Sequence, residues 1–256
     1  MREIKGLVAA AAAVALLVAL AGCGGGGDDG ATGIDPIPGP AERAGSGPDL
    51  STGNLLPLQV GNQWTYSVAG SSTPLVQQIT GTRAISAGVG FVFASSDQPG
   101  DDSVYLDDAQ GLRVFPGTGA DAGARALGPL EILRHPLQVG AVYPVANKAF
   151  GATLDYDGDG LGDEAAFRRD AEVLGVESLA TPIGTLANVV HLRSTGVLRI
   201  RFSASGQRVD ITTVSDDWLA PGIGPVQSHV TSSGDGQAAS YQQTLSSAIV
   251  GGTPYP

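Results

Sequence analysis

Apolar and polar residues alternate over short runs along most of the chain beyond Leu55. Trp64, Tyr66 and Val68 alternate with Gln63, Thr65 and Ser67; Leu198, Ile200 and Phe202 alternate with Arg199, Arg201 and Ser203; Val226, Ser228 and Val230 alternate with Gln227 and His229. A period of two is the pattern of a strand with one wet face. Further strands are expected over 75–84, 89–94, 103–106, 112–115, 149–156, 167–174, 189–194, 209–214 and 237–245. Glycine, proline and aspartate separate the runs, and no window beyond the first residues keeps an apolar stripe at helical spacing. Glycine makes up 38 of the 256 residues, about twice the usual share of about 7 %, which favours turns over helix. The pattern predicts an all-β, antiparallel domain, a strongly twisted sheet or an open barrel or sandwich.

One five-residue string occurs twice. Pro57-Leu58-Gln59-Val60-Gly61 returns as Pro136-Leu137-Gln138-Val139-Gly140, each followed three positions later by an aromatic, Trp64 and Tyr143. A proline opens the segment, a glycine makes the turn and a strand follows, so the domain is expected to consist of two related halves.

The first 22 residues follow a different pattern. Arg2 and Lys5 are followed by an uncharged, largely apolar run from Gly6 to Leu20, then Ala21-Gly22-Cys23. About 15 apolar residues fall short of the ~20 that span a bilayer core, yet suit the h-region of a signal peptide with small residues at its cleavage site. Leu20-Ala21-Gly22-Cys23 resembles the lipobox of bacterial lipoproteins, which implies lipidation of Cys23 and attachment to a membrane through that lipid. The sequence contains one cysteine, so no internal disulfide forms, and stability rests on an apolar core. Gly24, where aspartate would favour retention, implies sorting to the outer membrane in a host with two membranes.

Residues 23–53 read as a lipidated cysteine and a Gly/Pro-rich tether, with residues 54–256 as the β-rich extracytoplasmic domain. The tether has hardly an apolar cluster and is expected to stay disordered, with a typical span of about 30 Å. Cleavage leaves 234 of 256 residues and, by removing Arg2, Lys5 and Glu3, shifts the net charge from −11 to −12. A chain this acidic repels nucleic acid and anionic headgroups, leaving the acyl chains as its hold on a membrane.

Three segments, in order, resemble a broad group of uncharacterised bacterial lipoproteins and exported proteins. They are Leu56-Pro57-Leu58-Gln59-Val60-Gly61-Asn62-Gln63-Trp64-Thr65-Tyr66, Thr181-Pro182-Ile183-Gly184-Thr185, and Trp218-Leu219-Ala220-Pro221-Gly222-Ile223-Gly224-Pro225-Val226. The resemblance implies a β-rich envelope protein and brings no activity with it. Read from the residues alone, Pro182, Gly184, Pro221, Gly222 and Gly224 set turns, and Trp64 and Trp218 are expected to anchor the core.

Chemistry concentrates in one stretch, Asp155-Tyr156-Asp157-Gly158-Asp159-Gly160-Leu161-Gly162-Asp163. Its carboxylates stand at positions one, three, five and nine of an EF-hand-type loop, with glycine at six; Ala166 stands where position twelve would carry an acid. The expected ligands of one calcium ion are Asp155, Asp157, Asp159 and Asp163, with the Leu161 carbonyl. The alternative is a solvated hairpin tip, because Asp-Gly pairs form turns well. His135, His191 and His229 lack zinc-ligand spacing, and no Gly-x-Ser-x-Gly elbow is present. Asp107-Asp108 and Asp216-Asp217 could be acid pairs for hydrolysis, but strand neighbours face opposite sides. The function expected is non-enzymatic, a binding, structural or assembly module with an unidentified protein or small-molecule partner. A carrier of an acyl ligand on a curved sheet is the alternative, and a hydrolase stands behind both.

Overall fold

A computed structural model describes residues 33–100, 102–120 and 122–256, so the signal segment, Cys23 and the glycine run after it lie outside the described residues. Two consecutive meanders of six strands make one antiparallel sheet. The first comprises β1 (Gln63–Val68), β2 (Leu75–Ile85), β3 (Gly88–Ser95), β4 (Val104–Asp108), β5 (Gly111–Phe115) and β6 (Leu130–Arg134). The second comprises β7 (Val142–Leu154), β8 (Asp163–Thr181), β9 (Gly184–Arg201), β10 (Arg208–Ala220), β11 (Gly224–Gly234) and β12 (Gln237–Val250). A short β13 (Thr253–Tyr255) folds back on β12.

The β1–β12 ladder, from Gln63 opposite Ile249 to Val68 opposite Gln243, joins the two meanders. The sheet therefore runs from β6 through β1 and β12 to β7. Its two ends meet without a backbone ladder: the Tyr143 hydroxyl donates to the Ile132 carbonyl (3.0 Å), and the Arg134 guanidinium lies 5.2 Å from the Tyr143 ring centroid. The result is a nearly closed, strongly twisted barrel, as the alternation implies.

The alternation fixes which side chains enter the barrel. Trp64 and Tyr66 are fully buried, and their polar tips donate to the carbonyls of Ile223 (2.6 Å) and Pro225 (3.1 Å). Trp64 stacks on Phe93 at 5.6 Å between centroids, and Phe93 tilts against Tyr105 at 4.6 Å. Each buried ring removes ~150–250 Å² from water, about 4–6 kcal/mol at ~25 cal/mol per Å². Without a disulfide, this apolar layer carries the fold.

The repeated pentapeptide opens each meander and makes the same turn twice. Gly61 N–H donates to the Ile79 carbonyl (2.9 Å), and Ile79 N–H donates back to Asn62 (2.9 Å). Gly140 N–H donates to Val173 (2.8 Å), and Val173 N–H donates back to Ala141 (3.0 Å). Both glycines have positive φ, 92° and 81°, which L side chains adopt at a cost. Trp64 and Tyr143 then enter the core from equivalent positions.

Several expectations change on contact with tertiary structure. The runs at 189–194 and 198–203 are one strand, β9, which passes through Gly196 without a break, and β8 likewise absorbs the run at 167–174. β6 and a six-residue helix, α1 (Ala122–Leu127), had not been expected. Trp218 is a correction. It lies half-buried against the core and stacks on His191 (4.4 Å between centroids), with its indole N–H donating to Glu177 (2.6 Å). The segment expected to be tether through Gly53 is packed from Ile34 onward. Ile34 and Ile37 are 4 % and 6 % exposed and rest near Ala166 and Val197. Two isoleucines among prolines and glycines are too sparse to register as periodicity, yet they suffice once a formed sheet offers them a surface.

Candidate functional site

Three of the aspartates in the 155–163 stretch come together. One carboxylate oxygen from each of Asp155, Asp157 and Asp159 lies within 4.8 Å of the others. Gly158 and Gly160, at φ 77° and 89°, let the backbone curl around them. Asp155 accepts from the amides of Gly158 (2.6 Å), Asp159 (3.2 Å) and Gly160 (2.8 Å). These bonds, that from Gly160 foremost, hold its carboxyl below the usual range. Asp157 moves the other way: desolvation within the loop and the charges of Asp159, Asp163 and Asp155 push it up. Like charges crowd here, and a cation is one way to relieve them. Leu161 is half-exposed at the tip.

Asp163 stands apart from this trio. It is fully buried, and its two oxygens accept from the amides of Tyr156 (2.7 Å) and Ser203 (2.8 Å). It fastens the loop to the β9–β10 turn. The spacing alone does not show this, because Asp163 starts β8 and takes its direction from the strand.

The inner wall of the second meander carries a polar band. Asp217, Ser228 and Gln243 lie directly opposite one another across β10, β11 and β12, and all are buried. Ser215 donates to Asp217 (2.7 Å), Tyr241 to Gln243 (2.9 Å), and Arg169 to Ser194 through both Nε (3.0 Å) and Nη2 (2.6 Å). Burial pushes the Asp217 carboxyl up. The Ser228 hydroxyl faces Asp217 and, with Ser215, opposes that rise, while the Gln243 Nε2 lies buried with no hydrogen-bond partner among the described residues. A cavity of about 30 Å³ adjoins Asp217 and Gln77, otherwise lined by Phe93, Tyr105, Leu192 and other apolar groups. That volume suits one water. Strand alternation does place Asp217 with Ser215 and Leu219 on the inner face. What it does not reveal is that three strands align their polar residues into a row.

Asp216 faces outward, as its neighbour's inward orientation requires. It accepts from His191 Nε2 (2.9 Å) and from Arg193 Nε (2.9 Å) and Nη2 (3.1 Å). Burial raises the carboxyl, but the Arg193 and His191 bonds outweigh it and hold it below its usual range. Glu177 lies 3.5 Å from His191 Nδ1. His135 sits between the Asp108 carbonyl (3.1 Å) and the Asp107 carboxylate (3.6 Å), while Asp108 is tied to Arg113. These acids are partners of neighbouring arginine and histidine side chains on the wall. A groove of about 700 Å³ lies between residues 37–43 and the outer wall, bordered by Arg168, Asp170, Glu172 and Arg193.

No protein-family model and no curated protein matches this chain. Among solved structures it is similar to a protein described as a lipoprotein from Parabacteroides distasonis ATCC 8503, at 13 % identity and a TM-score of 0.34, covering 76 % of this chain and 97 % of that one. It is also similar to an exported protein with a YmcC-like fold from Bacteroides fragilis NCTC 9343, at 16 % identity and a TM-score of 0.31, covering 75 % and 97 %.

Proposed function

We propose that the chain is a lipid-anchored cell-envelope protein, held to a membrane through acylated Cys23, and that its barrel is a non-enzymatic binding, structural or assembly module. The observation that carries the module reading is how the polar groups are used. Arg168, Arg193 and Arg199 are each bound bidentately to Asp170, Asp216 and Asp210 on the outer wall. Acid–base chemistry needs an acid and a base converging on one reacting atom, and these pairs are spread along the wall. Crosslinking in cells followed by mass spectrometry tests the reading, with a reproducible protein partner on the outer wall expected. Turnover of a substrate by the purified protein, abolished by Asp217→Asn or His191→Gln, would overturn it. Labelled palmitate tests the anchor: label on the native chain and none on Cys23→Ser is expected, and equal label on both refutes it.

An acyl carrier draws less support. The interior cavity beside Asp217 holds about 30 Å³, against roughly 300–1,000 Å³ for sites that enclose a small molecule. The groove of about 700 Å³ on the outer wall is bordered by the charged Arg168, Asp170, Glu172 and Arg193, which do not suit an acyl chain. For the acidic loop, the convergence of Asp155, Asp157 and Asp159 supports a weak calcium site, with a Kd of about 10⁻⁴ to 10⁻³ M. At millimolar calcium and the tighter limit, linkage stabilises the fold by about 1.4 kcal/mol. A melt with and without calcium tests this, with the Asp157→Asn, Asp159→Asn double variant as control. An unchanged melting temperature at several millimolar calcium returns the loop to a solvated turn.

A further inference from the structure

We infer that residues 33–54 form a strap that holds the barrel close against the lipid surface, with the barrel end bearing the 155–163 loop turned towards the membrane. The inference rests on the proposed acylation of Cys23 and adds to it a distance and a direction. The strap runs the length of the outer wall. It starts at Gly33, beside the side-chain tips of Glu164 and Arg201, at the start of β8 and the end of β9. It ends where the carbonyls of Gly53 and Asn54 accept from Gly222 N–H (2.9 and 3.1 Å), at the β10–β11 turn.

Three kinds of contact fasten it. Ile34 and Ile37 are buried against the wall. Residues 43–50 line the segment that leads into β7: Arg43 exchanges both backbone bonds with Val142 (3.0 and 2.9 Å), while Ser46 N–H reaches Val139 (2.9 Å) and Leu50 N–H reaches Leu137 (2.8 Å). Ion pairs then straddle the seam left by the missing β6–β7 ladder, Glu42 with Arg134 of β6 (2.7 Å) and Arg43 with Glu172 of β8 (2.9 Å). The strap thereby pairs with the chain entering β7 and with the first residue of that edge strand.

This packing shortens the leash. From Cys23 to Ile34 is 11 residue steps by position, at most about 40 Å even if fully extended at ~3.6 Å per residue. A tether free to Gly53 would allow a reach of roughly 110 Å by the same measure. The leash also enters at one end. Ile34 lies beside Ala166, close to the 155–163 loop and to the turn at 202–207. The β8–β9 turn at Thr181–Gly184 lies 15 residues further along β8, about 50 Å at ~3.3 Å per residue. A leash attached at the near end keeps that end at the membrane and carries the far turn outward.

The test uses the acylated full chain in nanodiscs whose headgroups carry a fluorescence quencher. A fluorophore is placed at Ala204→Cys, near the strap's entry, or at Thr185→Cys, at the far turn; acylated Cys23 takes no thiol label. Quenching several-fold stronger at residue 204 than at 185 is expected. Inserting about 30 Gly/Ser residues after Gly30 leaves the strap intact and lengthens the leash, so the difference should collapse. Equal quenching at both positions in the native chain, or a difference unaffected by the insertion, overturns the inference. Failure of the anchor itself is seen separately, as a chain that carries no acyl group by mass and does not stay with the nanodiscs. In that event hydrogen exchange of residues 24–256 still judges the strap: slow exchange at the amides of Arg43, Ser46 and Leu50 supports it, and exchange at unprotected rates overturns it.

Discussion

Replacing Asp163 by alanine should cost the barrel about 2–4 kcal/mol. Its carboxylate is fully buried and gives one oxygen to Tyr156 N–H and the other to Ser203 N–H. Removing the acceptor leaves two donors with nothing to bind, at ~1–3 kcal/mol for each that stays dry. Relaxation of the 155–162 loop would admit water to one of them, which places the sum below the full penalty for two. For a domain of this size ~1 kcal/mol moves the melting temperature by about 2–4 °C, so a fall of roughly 5–15 °C is expected. Asp163→Asn should recover little, because its amide keeps one acceptor and turns an N–H₂ towards the second amide.

The assay is urea and thermal unfolding of residues 24–256, run in chelator and again in millimolar calcium, with hydrogen exchange at Tyr156 and Ser203 as the local readout. Loss of equal size in both buffers, with faster exchange at those two amides, is the outcome the geometry demands. A loss below about 0.5 kcal/mol would refute the reasoning. A loss confined to calcium buffer would show that Asp163 is a ligand and its amide bonds incidental.

Other outcomes follow from the same geometry. Gly61→Ala and Gly140→Ala should each cost about 1–2 kcal/mol in urea melts, since both sit at positive φ with open space around a new methyl, so the penalty is purely conformational; a cost at only one would separate the two halves. Asp217→Asn should leave the protein as stable at pH 7 or more so. Burial raises the folded-state pKa, so the native carboxyl favours folding most below its unfolded value of ~3.9 and loses that contribution as pH rises through the folded value. Urea melts from pH 4 to 7 should therefore show a flatter profile for the variant, and a variant weaker by more than about 1 kcal/mol at pH 7 would contradict this. Trp64→Phe should cost about 1–3 kcal/mol by leaving the Ile223 carbonyl without its donor, read by denaturant melt.

Much of the fold was legible in local pattern, and the exceptions have physical causes. The run from Gln63 to Val68 is β1 residue for residue, because a half-wet strand shows its period directly. β9 reads as two strands in the sequence, since Gly196, opposite Arg169 of β8, interrupts the apolar alternation. β6 escaped because Leu130-Glu131-Ile132-Leu133-Arg134 has irregular burial, following a bulge between Leu112 and Arg113 on its partner. The trio of Asp155, Asp157 and Asp159 was visible in the spacing, whereas Asp163 belongs to a contact 40 residues away. The strap was hidden because its energy lies in the wall it meets.

The repeat gives these departures a common frame. Two meanders that begin with the same pentapeptide and the same pair of backbone bonds build the two walls of the barrel, yet the walls differ in chemistry. Large apolar and aromatic groups line the first, with Trp64, Tyr66, Ile79, Phe93, Tyr105 and Leu112 among its buried side chains and Gln77 as its buried polar strand residue. The second buries Ser194, Thr213, Ser215, Asp217, Ser228 and Gln243, and the strap, the acidic loop and the His191–Trp218 stack also lie on it. Buried polar groups cost stability unless they are fully satisfied, and Gln243 retains an unpartnered Nε2 among the described residues. The first wall carries fewer such groups, Gln77 and the unpartnered Nε of Arg113 among its described residues. The buried polar groups are thus concentrated on the second meander. Its outer side carries the packed segment that begins at Gly33, and its inner side holds the row of Asp217, Ser228 and Gln243.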